Sequence, residues 1–233
     1  MHKSLESTAK KIMKWLDDLF FPYVGCIACS AEEELDENHL CDKCAKILRE
    51  KKIRETRMGD ITVLSPYLYS GPAGALVRNL KFRRDGACVK PLADGLVYAF
   101  VNRDLRGKCD FIVPVPISKK RYQKRGFNQS ELIANELGRI VGVPVRSKCI
   151  ERIRHTKEQS KLKGRARRRN VMGAFKARDV DGAAILLVDD VYTTGATTYE
   201  CTKALLEAGA KDVIVLCATI SKEYQNMKSE QTA

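Results

Sequence analysis

The chain has 233 residues, of which 42 are Lys or Arg and 29 are Asp or Glu, for a net charge of +13. At 44% hydrophobic it is too apolar for a disordered basic tail, and its length suits one full domain with a small appendage. It contains no apolar stretch of the length a membrane span needs, and its start has no clean apolar run and does not read as a secretory signal, so we expect a cytoplasmic protein without a spanning segment.

In chain order, residues 4–21 carry Leu5, Ile12, Trp15, Leu16, Leu19 and Phe20, whose later spacing is helical, and Pro22 ends the run. Residues 1–22 therefore predict an N-terminal docking helix. Residues 23–50 form a small cysteine-bearing unit. Cys26, Cys29, Cys41 and Cys44 follow the pattern C-x2-C-x11-C-x2-C. Two residues between cysteines let both sulfurs of a knuckle point at one ion, and two knuckles complete a tetrahedral S4 site for zinc. Four thiolates leave no open coordination position, so the expected Zn2+ is structural. Incidental pairs or two disulfides are the alternatives, and the missing secretory signal argues against the second. Cys88, Cys109, Cys149, Cys201 and Cys217 sit mostly in apolar segments and are expected to be buried as small hydrophobes.

Residues 51–57 (KKIRETR) resemble a linker, and a second unit is expected over 59–221. It opens with a strand at 61–69, a helix from Pro72 to Phe82 and another over about 88–103. Strand and helix then alternate. DFIVPV (110–115) reads as a strand, and Asn128 to Glu131 reads as a capping box for a helix carrying Leu132, Ile133, Leu137 and Ile140. Val143–Val145 is a short strand, AAILLV (183–188) a strand covered on both faces, 197–208 a helix stopped by Gly209, and VIVLCATI (213–220) a final strand. This alternation predicts an α/β fold with a mostly parallel sheet flanked by helices, its ligands at the carboxyl ends of the strands. The polar tail 222–233 carries no such pattern.

The charge is concentrated. Residues 117–128 hold Lys119, Lys120, Arg121, Lys124 and Arg125 with no acid, and residues 146–170 hold eleven basic residues against Glu151 and Glu158. These loop-like segments either are solvated or face a polyanion, such as a nucleic acid or a pyrophosphate-bearing ligand.

The most informative stretch is Ile185 to Thr198, ILLVDDVYTTGATT. A buried strand delivers Asp189 and Asp190 at its tip, and a Thr- and Gly-rich turn leads into a helix. Gly195 allows close backbone approach, the N–H groups from Thr194 through Ala196 to Thr197 can converge on an anion, and Thr193, Thr194 and Thr197 add hydroxyl donors. Like charges repel, so the carboxylates cannot hold the phosphate. They suit neutral hydroxyls, such as those of a ribose, or a Mg2+ ion. A receiver-type phospho-acceptor fold also uses acidic strand tips, but it has no need of a Thr-Gly-Ala-Thr cradle directly after them.

Val188-Asp189-Asp190-Val-Tyr-Thr-Thr-Gly-Ala-Thr197 resembles the phosphoribosyl-pyrophosphate signature of type I phosphoribosyltransferases. Further segments narrow the resemblance to the ComF family of competence-associated proteins. They are Leu19-Phe-Phe-Pro22, Tyr69-Ser-Gly71, Leu80-Lys-Phe82, Val113-Pro-Val-Pro116, Arg125-Gly-Phe-Asn-Gln129, Gln159-x-x-Leu162 and Arg167-x-x-Asn170-Val-x-Gly-Ala-Phe175. The resemblance implies a type I phosphoribosyltransferase-like sheet preceded by a zinc-binding unit. It further implies binding of phosphoribosyl pyrophosphate with Mg2+ and transfer of a phosphoribosyl group to an acceptor, linked to DNA uptake and natural transformation. It would place Asp189 and Asp190 on the ribose hydroxyls and Thr193, Thr194, Gly195, Ala196 and Thr197 on the 5-phosphate. Lys119, Arg121 and Arg125 would meet the pyrophosphate, and residues 151–170 would form a basic hood that closes over it. Asp189, Asp190, Arg125 and Arg167 are the residues expected to carry the reaction. A non-catalytic sensor using the same pocket, or a single-stranded DNA-binding factor using the basic segments, are the alternative readings.

Overall fold

The computed structural model of the protein describes residues 25–154 and 169–221. The expected docking helix at 1–22, Arg167 with most of the hood, and the tail 222–233 lie outside the described residues. Among the described residues no helix is long and apolar enough to cross a membrane.

The fold is α/β. Its main sheet has the strand order β1-β2-β8-β7-β4, with β3 also paired to β8. The strands are β1 (Arg54–Met58), β2 (Ile61–Ser65), β3 (Tyr67–Leu68), β4 (Phe111–Pro114), β7 (Ala184–Tyr192) and β8 (Asp212–Ile220). The edge pair β1–β2 is antiparallel and the remaining ladders are parallel. A separate antiparallel ribbon joins β5 (Ile150–Arg152) to β6 (Phe175–Ala177).

The central strands carry apolar side chains on both faces, and alternation sends them to two different cores. Ile112, Leu186, Val188, Leu216 and Ala218 pack with α2 (Gly71–Phe82), α3 (Val89–Asn102) and α5 (Gln129–Val141). Phe111, Val113, Ile185, Leu187, Val213, Val215 and Cys217 pack with α6 (Ala196–Glu207) and the β5–β6 ribbon. Gly95 in α3 leaves the space that the Tyr67 ring fills.

Three local expectations are corrected. Residues 51–57 contain no simple linker: Arg54–Met58 pairs with Ile61–Ser65 across a turn that includes Gly59, in the left-handed region at φ 64°. Its polar composition reflects its edge position, where charged side chains discourage further pairing, while Thr56 alone in the strand is buried. The expected strand at 61–69 breaks at Pro66 into β2 and β3. Val143–Val145 contributes a single bridge, Ile112 to Val145, rather than a strand.

The basic segment at 117–128 is not all loop. Residues Lys119–Arg125 form α4, capped by the Ser118 side chain, which accepts from the Arg121 N–H, and ended by Gly126 at φ 86°. Lys, Arg and Gln are good helix formers, and the cap and the glycine supply the boundaries. Asn128 caps α5 as expected, accepting from the Ser130 N–H.

The cysteine unit has no core of its own. Its helix α1 (Asp42–Arg49) buries Cys44, Ala45 and Leu48 in the same apolar cluster as Leu76, Val77 and Leu80 of α2. Asn79 Nδ2 donates to Ile27 O at 2.6 Å, and Tyr67 Oη donates to Leu48 O at 3.1 Å. The unit is therefore bolted to α2 and to the β2–β3 corner. Of the five remaining cysteines, Cys88, Cys149, Cys201 and Cys217 are buried, and Cys109 is half-buried.

Candidate functional site

Strand β7 runs two residues past its paired carboxylates, to Tyr192, and turns through Thr193–Gly195 into α6. Asp189 and Asp190 are 8% and 4% exposed. Such burial makes an unpaired charge costly, so the neighbours decide what the pair can do. Asp189 Oδ1 accepts from Ser130 Oγ at 2.9 Å and from the Asp190 N–H at 2.9 Å. Asp190 Oδ2 is ion-paired with Lys81 Nζ, from the last turn of α2, and the Asp190 carbonyl accepts from Thr219 Oγ1 at 3.0 Å. Burial first, and the Asp190 charge second, push the Asp189 carboxyl up to about 8 against the relief that Lys81 offers.

Gly195 adopts φ 70°, the left-handed region, and a Cβ there would run into the Tyr192 ring and hydroxyl. Glycine is thus required twice, by backbone conformation and by space. It starts α6, and the first-turn residues Ala196, Thr197 and Thr198 line the cavity; the first N–H groups of a helix have no partner within it. Thr198 Oγ1 is turned back to Gly195 O at 2.9 Å and braces the turn.

Both features open on one cavity of about 390 Å3. Asp189, Asp190, Thr193, Gly195, Ala196 and Thr197 line it, together with Arg121 and Arg125 of α4. Arg121 and Arg125 are one turn apart and share a helix face. Lys119 is two residues from Arg121, points elsewhere and is not part of the wall. Thr194, at the crest of the turn, is also not part of it. Arg125 Nη1 donates to Gln129 Oε1 at 2.7 Å, and its guanidinium lies 5.9 Å from the centre of the Phe82 ring.

Sequence reasoning missed three contributors. Lys81 lies within the quoted Leu80-Lys-Phe82 segment, but its partner is 109 positions away and no spacing rule joins them. Ser130 carries the sequence signal of a helix start and none of a carboxylate partner. Arg152 of β5 lies in the expected hood segment, and the structure puts it in the cavity wall, over the Phe175 ring at 5.4 Å. Burial, and then the neighbouring Arg121 charge, lower its guanidinium to about 10.

The second candidate centre is the cysteine cluster. The four sulfurs lie within 4.8 Å of one another, and Cys29 Sγ and Cys41 Sγ are 3.7 Å apart. A tetrahedron with Zn–S bonds of about 2.3 Å has S–S edges of about 3.8 Å, close to the Cys29–Cys41 separation, so the donor set is of the type and compactness that zinc takes. The Ala28 N–H points at Cys26 Sγ at 3.4 Å. Burial opposes ionisation of Cys26, but the surrounding N–H groups outweigh it and bring the thiol to about 7. Burial and the neighbouring sulfurs push Cys44 the other way. Crowded thiolates compete for charge, and a central divalent cation resolves that competition.

No family model matches the chain. Among curated proteins it is 39% identical over 153 residues to "DNA utilization protein YhgH" of Salmonella typhi, covering 64% of this chain and 67% of that protein. It is 29% identical over 204 residues to "Competence protein F" of Haemophilus influenzae, covering 84% of this chain and 83% of that one. It is 28% identical over 194 residues to "Competence protein ComFC" of Bacillus subtilis, covering 79% and 78%. Among solved structures, a purine phosphoribosyltransferase from Pyrococcus horikoshii is 19% identical, with a TM-score of 0.35, over 54% of this chain and 71% of that one. That likeness is too slight to carry an argument about function.

Proposed function

The chain belongs to the ComF family of competence proteins, and from that premise we propose that its cavity binds phosphoribosyl pyrophosphate with Mg2+ and transfers the phosphoribosyl group to an acceptor nucleophile in the service of DNA uptake. The observation that carries this reading is a juxtaposition. Two buried carboxylates, a glycine-started helix N-terminus and three arginines line one cavity.

Each part meets a different portion of such a ligand. The carboxylates of Asp189 and Asp190 accept hydrogen bonds from the ribose hydroxyls. The N–H groups of the α6 N-terminus and the Thr193 and Thr197 hydroxyls take the 5-phosphate. Arg121, Arg125 and Arg152 face the pyrophosphate, whose negative charge grows as the bond to ribose C1 breaks. Mg2+, bound together with the ligand, would supply charge neutralisation for the leaving group. The protein offers positioning and leaving-group stabilisation instead of a nucleophile. Arg167 and the remainder of the hood, outside the described residues, would close over the leaving group. A structural zinc at Cys26, Cys29, Cys41 and Cys44 completes the cofactor set. The names of the relatives, which refer to DNA utilization and competence, support the link to DNA uptake.

Calorimetric titration with phosphoribosyl pyrophosphate and Mg2+ tests the binding. Saturable uptake that is lost in Asp189→Asn/Asp190→Asn is expected, and its absence from folded protein sinks the reading. Pyrophosphate release across a panel of acceptors, including nucleobases and single-stranded DNA, then separates a transferase from a sensor.

A second reading has its own support. Phe82 and Tyr122 are 73% and 51% exposed, and they stand among Arg83, Arg84 and the cations of α4, with Arg84 Nη2 donating to Lys124 O at 2.7 Å. Exposed rings on a basic surface suit a single-stranded nucleic acid. DNA affinity that falls steeply with salt, survives the aspartate changes and drops in Phe82→Ala would favour it.

A further inference from the structure

Lys81 belongs neither to the acidic turn nor to the basic segments. It is the penultimate residue of α2, and its ammonium is ion-paired with Asp190 in the cavity wall. Its side chain is 18% exposed and that of Asp190 is 6% exposed, so the pair is largely withdrawn from water and weakly screened. The other carboxylate, Asp189, is held by two neutral donors, the Ser130 hydroxyl and the Asp190 N–H. Adjacent carboxylates at a strand end ordinarily attract a hard divalent cation, which takes oxygen ligands at short range. Here a fixed internal cation already stands against one of them, and Arg121, Arg125 and Arg152 line the same cavity.

We propose that Lys81 is a positioning residue that takes the divalent-cation place at the Asp189–Asp190 pair, so that the carboxylates receive ligand hydroxyls and any metal enters on the ligand's phosphates. A hydroxyl donates to a carboxylate without displacing the ammonium. A metal ion cannot bind Asp190 without expelling Lys81 Nζ or meeting its charge at close range. Lys81 thereby sorts two chemistries that the acidic pair alone would accept equally. The exclusion of metal rests on the ion pair, whereas the arrival of ligand hydroxyls rests on the phosphoribosyl reading above.

The test is a Mn2+ titration of the zinc-loaded full chain, followed by electron paramagnetic resonance. The wild type is expected to take up no Mn2+ at the pair. Lys81→Met should bind Mn2+ at least about tenfold more tightly, since one unit charge beside a buried pair is removed. Lys81→Arg, which keeps the charge, should behave as the wild type, and Lys81→Met/Asp190→Asn should lose the gained site. Equal Mn2+ affinity in the wild type and folded Lys81→Met overturns the proposal. So does wild-type Mn2+ binding that disappears in Asp190→Asn, a measurement that needs no Lys81 variant to fold. If phosphoribosyl pyrophosphate fails to bind while the Mn2+ results come out as expected, the hydroxyl half falls with the phosphoribosyl reading and the metal exclusion stands.

Discussion

The cysteine cluster and the carboxylate cavity are both built from short motifs, yet they are assembled differently. The four cysteines lie between residues 26 and 44, and their backbone turns bring the sulfurs together locally. The cavity draws on residues from Tyr69 to Thr198, contributed by β7 and its turn, α2, α4, α5, α6 and β5, and by the segments that follow β3 and β4. Locality does not mean independence. Ile27, Leu40, Ala45 and Leu48 share a core with α2 and α3, and α2 also carries Lys81 into the cavity. The difference teaches that a motif can be locally complete and still lean on distant structure for its stability.

The largest expected effect tests that dependence. Cys44→Ser should abolish stoichiometric zinc and, because Cys44 is buried in the shared core, destabilise the whole molecule by ~3 kcal/mol or more. For a chain of this size that corresponds to a fall in Tm of ~6–12 °C, readable by calorimetry alongside elemental analysis. An unchanged Tm with zinc lost would make the cysteine unit a detachable appendage and break the comparison.

The next effect belongs to the cavity and depends on pH. Asp189 is raised from 3.8 to about 8, mainly by burial and then by the Asp190 charge. A group whose pKa is higher folded than unfolded retains a proton that the unfolded chain gives up. Its contribution to stability is therefore complete below 3.8 and is lost as pH rises through about 8. Asp189→Asn removes this dependence. Between about pH 5 and pH 7 the wild type should lose ~2–3 kcal/mol more stability than the variant. Denaturant melts across that range measure the difference, and parallel profiles would show that Asp189 is ionised throughout.

The same contrast explains what could be read in advance. The cysteine spacing specifies its own geometry, so residue counting reached the cluster. The β7–turn–α6 segment is also contiguous, and Asp189, Asp190 and Gly195 were legible because strand, turn and helix carry distinct residue patterns. Lys81, Ser130 and Arg152 were not, because their roles depend on how α2, α5 and β5 dock around β7. The polar β1 has the composition of a linker because edge strands can shed the apolar alternation that marks a strand. The α4 helix was hidden by its charge, although Ser118 and Gly126 bounded it in the sequence.

Gly195→Ala probes the contiguous part of the cavity. A Cβ in the left-handed region adds ~1–2 kcal/mol of strain, and the Tyr192 ring has no room for it. A loss of ~2 kcal/mol in stability is expected, together with weakened binding of phosphoribosyl pyrophosphate, as the turn shifts away from the anion. Normal stability and affinity would mean that Tyr192 moves aside and that the tight turn is not required.

The smallest effect examines the distributed part. Ser130 is fully buried, and its hydroxyl reaches Asp189 at 2.9 Å across 59 positions of sequence. Ser130→Ala creates almost no cavity, so the change isolates that hydrogen bond. Asp189 keeps the Asp190 N–H, which limits the loss to ~1 kcal/mol. The lost donor also favours the protonated form of Asp189, so the decline in stability with rising pH should continue to a higher pH than in the wild type. That second readout distinguishes a specific contact with the carboxylate from general loosening of α5, which would lower stability by the same amount at every pH. A uniform offset would leave Asp189 oriented by its own strand, and the cavity would then be more local than its lining suggests.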